Sequence, residues 1–526
     1  MGTAETCMTG DVAEERLALH RRLWFMILFL LFFFQAFFSF PADDGLRHVG
    51  LALRGEPRWA EVYPFSGFSE NAATSPWYGY DTLLSWMLSP VRTLGLAPAL
   101  GGFLAIKIVS FVLAAALLLL VVQRSGIVKE IESFPTLLAA TALMVALLAP
   151  LFGRAMLLRP FVFGTLFLAY SFSAKGLWKG LLSAGVLIFL YPYLSWFYIL
   201  PTAFCHVLRG DRRFAAGVLT PLGVFLALQP HSFWGLQLAL ISSGSVRSEM
   251  GLQISELRPI SDSFYCLLIL AGYLFFYPHL HRGRRKLLYG DLLAFAFLPP
   301  SVLYIRTFVD VLLPVLFITH ARPFVPAVAR KLLEIKTGWA LFMEEANAPR
   351  PLRFLLKKWG KPRGEDRSGG GLSLKPLIGL LFALLIGIGV KANLDQLGTI
   401  RETAELLTEV PENAVVISSF NRQYLLLFVR PDLKIIPSSE AGLPAASIRN
   451  EYVAFFKEGT FGALARRTSA AFLIEGKDMY LDPGESRQLE PVAKNGGMRV
   501  WRILHRAGEA DGSIVRGNGV ESPHES

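Results

Sequence analysis

The sequence predicts a polytopic α-helical membrane protein, with about eleven transmembrane helices and a small C-terminal α/β domain outside the membrane. Three observations lead there. The 526 residues are 53% hydrophobic with a mean hydropathy of +0.44, values that suit a chain threaded through lipid better than a soluble enzyme of this length. Apolar runs approaching the roughly twenty residues needed to cross a hydrocarbon core recur from residue 23 to residue 391. Beyond about residue 392 the pattern changes to short β-branched runs separated by helix-like stretches, which is α/β patterning.

The candidate spans are 23–40, 102–122, 135–152, 155–172, 177–191, 193–208, 214–229, 262–278, 289–301, 302–320 and 376–391. The first is too long for the apolar core of a signal peptide, and no small-residue cleavage site follows it, so it is expected to remain as a helix. Several others are short. Pro192–Tyr193 and Pro299–Pro300 divide the pairs 177–208 and 289–320, because proline removes a backbone donor and favours a helix end.

A net charge of +11 raises the question of nucleic acid, and its distribution answers it. The stretch 322–375 has twelve Lys/Arg against five Asp/Glu, an excess of seven. Basic excess confined to loops between apolar segments is the positive-inside signal, so no nucleic-acid partner is expected. With residues 1–22 in the cytoplasm, every inward segment is basic: His20-Arg21-Arg22, Arg124 with Lys129, Lys175 with Lys179, Arg209 to Arg213, Arg282 to Lys286, and 322–375. The outer side then receives loop 41–101, loop 230–261 and everything after about residue 392.

Within the inner loop, Ala327 to Glu345 reads as amphipathic and Lys357 to Gly371 as a flexible linker. In the outer domain, 392–505, the apolar runs are Val415 to Ile417, Leu425 to Val429, Leu433 to Ile436 and Ala471 to Ile474. Helix-like stretches at Arg401 to Glu409 and Glu451 to Arg467 alternate with them. The tail 506–526 is polar and expected to be disordered. Cys7, Cys205 and Cys266 match no zinc or CxxC spacing, and no disulfide framework follows. No internal repeat supports an inverted-repeat transporter.

The residues that could carry chemistry begin directly after the first span, at Pro41-Ala42-Asp43-Asp44-Gly45-Leu46-Arg47-His48. Adjacent carboxylates at a membrane surface are costly to desolvate unless something pairs or uses them. In a helix, Asp43 faces Arg47 and Asp44 faces His48. Such a carboxylate can take a proton from an alcohol or hold a metal ion; it can equally be a helix cap. Trp59, Tyr63, Trp77, Tyr78 and Tyr80 enrich the same loop in aromatics, which anchor at interfaces and also wall sugar and prenyl sites.

Basic residues at membrane depth are rarer. Arg154 and Arg159 flank the turn between the third and fourth spans, and Arg306 lies one helical turn before Asp310. An intramembrane arginine faces a polar interior, and its planar fork matches phosphate or carboxylate. Two readings stand side by side: an internal Arg306–Asp310 pair, or an arginine gripping a lipid-linked phosphate. In loop 230–261, His231 sits at a span end, and Glu256 and Arg258 are either substrate contacts or a surface ion pair.

This order of elements resembles the GT-C superfamily, which includes the protein O-mannosyltransferases and lipid A aminoarabinose transferases. The likeness rests on one N-terminal span, an acidic pair opening a long outer loop, many further spans and a small outer C-terminal domain. Arg159-Pro160, Gln229-Pro230-His231, Glu256-Leu-Arg258-Pro259, Ile305-Arg306 and Pro411-Glu-Asn-Ala-Val-Val-Ile also look like features of bacterial members. The resemblance implies an inverting membrane glycosyltransferase in a bacterial inner membrane, using a polyprenyl-phosphate-linked sugar. Asp43 or Asp44 would then be the catalytic base, and Arg306 or Arg159 would bind the donor phosphate. Arg47, His48, Trp77, Tyr78, His231, Glu256 and Arg258 would contact substrate. Asp44 stands where the family often has Glu. A divalent metal such as Mg or Mn is compatible with the reaction but not required. A lipid or solute transporter, or a non-catalytic component with the same fold, remain the alternatives.

Overall fold

The computed structural model describes residues 4–39, 44–54, 63–66, 77–93, 98–231, 233–235, 237–238, 258–280, 288–345, 375–419, 422–436, 444–477, 479–495 and 497–505. Asp43, Glu256, the linker at 357–371 and the tail 506–526 lie outside the described residues.

The helices are α1 (Ala4–Phe38), α2 (Asp44–Arg54), α3 (Tyr78–Met87), α4 (Pro98–Ser125), α5 (Phe134–Ala155), α6 (Phe161–Ser171), α7 (Leu177–Leu190), α8 (Ser195–Leu208), α9 (Arg212–Leu228), α10 (Phe264–Leu280), α11 (Tyr289–Leu303), α12 (Leu313–Glu345) and α13 (Lys375–Leu406). Each of the eleven expected spans overlaps helix among the described residues. Among the described residues, four helical segments can cross a membrane by length and composition: Leu17–Phe38, Leu100–Ser125, Phe134–Ala155 and Ile305–Lys331. Five further apolar helices, Phe161–Ser171, Leu177–Leu190, Ser195–Leu208, Phe264–Phe275 and Tyr289–Leu303, have 10–17 residues. At 1.5 Å per residue these reach only about 15–25 Å, short of a hydrocarbon core of about 30 Å.

The expected span 155–172 is one of the short ones. Its first residues form a turn in which Leu158 adopts a left-handed φ of 53°, and helix resumes only at Phe161. The break at Pro192–Tyr193 falls as expected between α7 and α8. The one expected at Pro299–Pro300 does not: α11 carries both prolines and ends at Leu303. Tyr304, extended at φ −138° and ψ 118°, makes the break. A short helix, Ile305–Thr307, and a π-helical turn, Phe308–Leu312, then lead into α12. The amphipathic stretch 327–345 continues α12 without interruption.

Helix packing follows from small residues. A Cβ on Gly180 of α7 would lie 2.6 Å from the Phe214 carbonyl, and one on Gly217 of α9 would lie 2.2 Å from the Leu177 carbonyl. Only glycine permits so close a crossing, as in many helix pairs within lipid. Asp211 caps α9 by accepting the Phe214 N–H at 3.1 Å.

The C-terminal domain is a five-stranded mixed sheet of order β2-β1-β3-β5-β4. Its strands are β1 (Val415–Ser418), β2 (Lys434–Ile436), β3 (Phe472–Glu475), β4 (Leu489–Asn495) and β5 (Met498–Ile503). β1 pairs in parallel with β2 and β3, while β5 runs antiparallel to β3 and β4. Helix α14 (Gln423–Val429) joins β1 to β2, and α15 (Arg449–Glu458) and α16 (Gly462–Thr468) join β2 to β3. The run Leu425 to Val429, read as strand-like in the sequence, is therefore helical, because it is the crossover that a parallel β1–β2 pair requires. Gly459 at φ 75° divides the expected helix 451–467 into α15 and α16. The hairpin β4–β5 lies beyond the runs singled out in the sequence.

Alternation along the strands gives the sheet two apolar faces. Val416, Ile435, Phe472 and Val500 share a core with α14 and the helical bundle. Ile417, Ile436, Leu473 and Ile503 pack with Tyr452, Phe455 and Leu464 of α15 and α16. The domain docks onto the bundle through α14, where a Cβ on Gly50 of α2 would lie 2.5 Å from the Leu427 carbonyl oxygen. Gly102 of α4 lies under the Phe428 ring.

Candidate functional site

The end of the bundle that bears the C-terminal domain also gathers the first loop and the turn after α5. Tyr80 of α3 donates its hydroxyl to the Leu158 carbonyl at 2.7 Å. Lys107 of α4 donates to the carbonyls of Phe37 and Ser39. Asn393 of α13 donates to the Phe37 carbonyl at 2.9 Å. Glu130 and Arg322 pair at 2.8 Å at the opposite end. The described parts of loop 41–101 and the C-terminal domain thus share one end of the molecule.

Two polar clusters occupy that end. The first is built on α2 and α3. Arg47 and His48 on α2 are wholly buried, as is Asp81 on α3. His48 Nδ1 lies 2.5 Å from Asp81 Oδ1, and Arg47 Nη2 lies 3.3 Å from His48 Nε2. A guanidinium can only donate. Nε2 therefore accepts, and Nδ1 carries the proton donated to Asp81, so the three groups form a directed chain from cation to anion. The Arg47 guanidinium stacks 4.6 Å from the centre of the Trp77 ring and 6.0 Å from that of Tyr424 on α14. Tyr80 meets His48 edge-on at 4.9 Å.

The second cluster joins α5, α7 and the π-helical turn. Arg154 grips both oxygens of Asp310: Nε bonds Oδ1, and Nη2 donates to Oδ2 at 2.9 Å. Arg306 Nε stands 3.7 Å from the same carboxylate, and its Nη2 donates to the Tyr191 hydroxyl at 3.4 Å. Thr165 of α6 donates to the Asp310 carbonyl at 2.7 Å, occupying an acceptor in a turn whose register departs from that of an α-helix. Two cations thus converge on one anion. The Arg306 side chain keeps 26% of its surface exposed, against 13% for Arg154. The clusters are contiguous, because Tyr80 packs on Phe163 of α6 and Trp77 on Tyr193, two residues beyond Tyr191.

The site residues proposed from sequence fall into three groups. Arg47, His48 and Trp77 come together, and Arg306 approaches Asp310. Arg258 is exposed, but its carbonyl accepts the Ile305 N–H at 2.9 Å, placing it beside Arg306. Tyr78 and His231 are exposed, and the described contacts bring neither into a cluster. Arg159 is buried just before α6, and the described contacts do not place it with Arg306. Asp44 opens α2, although its side chain, like all of Asp43 and Glu256, lies outside the described residues. Asp81 and Tyr191 were missed. Asp81 is 33 positions from His48, and no local spacing links them.

Among the described residues, no group of three or more His, Cys, Asp or Glu is arranged to hold a metal. A further buried pair, Asp291 and His320 at 3.0 Å with the Tyr273 hydroxyl 3.2 Å from His320, borders an apolar groove of about 270 Å³ between α5, α10 and α12. His320 is fourteen residues past Arg306, about 20 Å along a helix, so this groove is separate from the clusters above. Neither models of known protein families nor characterised proteins match the chain. Its helices that can cross a membrane and its C-terminal sheet define a helical membrane protein with an appended α/β domain.

Proposed function

We propose that this protein is a membrane glycosyltransferase that moves a sugar from a polyprenyl-phosphate carrier to an acceptor on the outer side of a bacterial inner membrane. In this reading the short apolar helices, with α9 and α13, complete a GT-C-like bundle of about eleven spans around the four long ones. The observation that carries it is the convergence of Arg154 and Arg306 on Asp310 beside the Tyr191 hydroxyl, at the same end as the start of α2.

The chemistry follows from the charges. Asp310 fixes Arg154 and, at longer range, Arg306, so a phosphate meets guanidinium groups that are already oriented. As the glycosidic C–O bond breaks, negative charge grows on the departing phosphate, and prearranged arginines stabilise it where it develops. Asp43 or Asp44 takes the proton from the acceptor hydroxyl as that oxygen attacks the anomeric carbon from the opposite face, which inverts the configuration. The Arg47–His48–Asp81 chain fixes α2, whose first turn contains Asp44.

The test is sugar transfer from a polyprenyl-phosphate donor in membranes containing wild type, Asp43→Asn or Asp44→Asn. One of the two variants is expected to lose transfer by at least about a hundredfold, the scale of general-base catalysis. Unchanged transfer by both, at normal expression, would remove the catalytic assignment.

A further inference from the structure

The C-terminal sheet reverses its winding at β1. The chain leaves β1 through α14 to reach β2 on one side, then returns through α15 and α16 to β3 on the other side. The two crossovers cover opposite faces, α14 over Val416 and Ile435, α15 and α16 over Ile417 and Ile436. Where an open α/β sheet reverses in this way, the connections diverge and leave a crevice outside the carboxyl ends of the two strands that flank the switch. Here those strands are β1 and β3.

The residues at that edge are polar and buried. Ser418 ends β1, Ser419 follows it, and Gln423 begins α14. Ser419 is 5% exposed, and its Oγ has no hydrogen-bond partner among the described residues. An unmet buried hydroxyl costs about 1–3 kcal/mol, a cost that a ligand bonded to Ser419 at this edge would remove.

The same edge faces the first loop. Ala445, beyond the end of β2, donates its N–H to the Phe65 carbonyl at 2.8 Å, and Ser66 bridges Pro444. Tyr424, next to Gln423, reaches toward Arg47. Serine hydroxyls and a glutamine amide both donate and accept, as sugar hydroxyls do.

We propose that the carboxyl edge of β1 and β3 binds a pyranose sugar through Ser419 and Gln423, at the junction with the first loop. The position and ligand class stand on the domain alone. That this sugar is the transfer acceptor rests on the glycosyltransferase reading above.

The experiment uses the full chain in zwitterionic micelles that carry no sugar headgroup. Saturation transfer from protein to ligand is recorded by NMR for glucose, galactose, mannose and N-acetylglucosamine. Wild type is expected to saturate at least one of them. Ser419→Ala is expected to weaken that signal about fivefold or more, the loss of one hydrogen bond, while its Tm stays equal or rises. Gln423→Leu provides a second reading, and Arg306→Ala is expected to bind as wild type. Absence of signal from all four sugars, or wild-type binding by folded Ser419→Ala and Gln423→Leu, would overturn the proposal. Binding without measurable transfer would remove the acceptor role and the enzyme reading but leave the site. Transfer without binding would remove the site alone.

Discussion

His48 and Asp81 meet at 2.5 Å with both side chains wholly buried, and this contact locks α2 to α3 across a stretch that contains most of the first loop. Removing the anion from this buried chain leaves the Arg47 cation at its other end uncompensated, at a cost of about 3–5 kcal/mol. Asp81→Asn preserves the shape but removes the anion at the end of the chain from Arg47. Its thermal unfolding in detergent is expected to shift downward by that order, with His48→Gln changing it in the same direction. A shift within experimental error for both variants would show that the chain is not what holds α2.

Arg154 and Arg306 share Asp310 unequally, and their variants should separate structure from function. Arg154 makes two hydrogen bonds to a carboxylate that is 2% exposed, so Arg154→Ala is expected to destabilise by about 3–5 kcal/mol. Arg306 sits farther from that carboxylate and is more exposed, and Arg306→Ala should cost about 1 kcal/mol or less. Affinity for a polyprenyl phosphate is expected to fall in Arg306→Ala by about tenfold or more, as for loss of a charge-assisted bond. Equal affinity for wild type and Arg306→Ala would favour a purely structural cluster.

The parts of this molecule legible in the sequence are those set by composition and local pattern. Apolar length located the long helices of the bundle but not α2 or α3, which fall within loop 41–101, and β-branched runs located β1, β2 and β3. Helix depth was less legible, because α6 is shortened by the Leu158 turn and α11 runs through Pro299 and Pro300 before Tyr304 breaks it. The candidate site divides the same way. Arg47, His48 and the Arg306–Asp310 pair were visible as charges in apolar surroundings. The partner of His48 was not, since Asp81 is 33 positions away, and neither was the pairing of Arg154 with Asp310 across 156 positions. The i,i+4 spacing made Arg306 the natural partner for Asp310, yet α5 supplies the closer arginine. Helix α14 was misread because its apolar run carries no period that separates a short strand from a short helix.

Gly50 sets how closely the outer domain approaches the bundle. Its missing Cβ leaves room for the Leu427 carbonyl, which a methyl group would meet at 2.5 Å. The obstruction is backbone and cannot turn aside as a side chain could. Gly50→Ala is expected to push α14 from α2 and to increase protease cleavage between α13 and β1 several-fold, in step with the weaker docking. Unchanged cleavage would mean that the interface accommodates the extra carbon by a rigid shift.

Sidedness has its own test. In a chain with Cys7, Cys205 and Cys266 replaced by serine, a single cysteine at Ser486 is expected to react with a membrane-impermeant maleimide in intact cells. A single cysteine at Ser368, in the basic loop 322–375, is expected to react only after the cells are opened. The reverse pattern would invert the topology and move both polar clusters to the cytoplasmic side.

The connection between α13 and the sheet should make the outer domain sensitive to acid. Arg430 donates to the carbonyls of Leu407 at 2.7 Å and Val410 at 3.1 Å, and grips Asp432 through Nε and Nη2 at 2.8 and 2.7 Å. Burial pushes the Asp432 carboxyl up, but the Arg430 hydrogen bonds and charge, with the Asn413 N–H, outweigh it and hold the group below its ordinary value. A carboxylate depressed in the folded state contributes stability that is fully present above its unfolded pKa, about 3.9, and is lost as pH falls through the folded value. Wild type is therefore expected to lose stability below about pH 4 through this group. Asp432→Asn should be less stable at neutral pH by about 1–2 kcal/mol, a partly exposed charged hydrogen-bond pair being worth no more. Because the variant has no proton to gain there, the difference between the two proteins should shrink steadily from pH 4 downward. A constant difference across that range would mean that Arg430 is held by the backbone carbonyls alone.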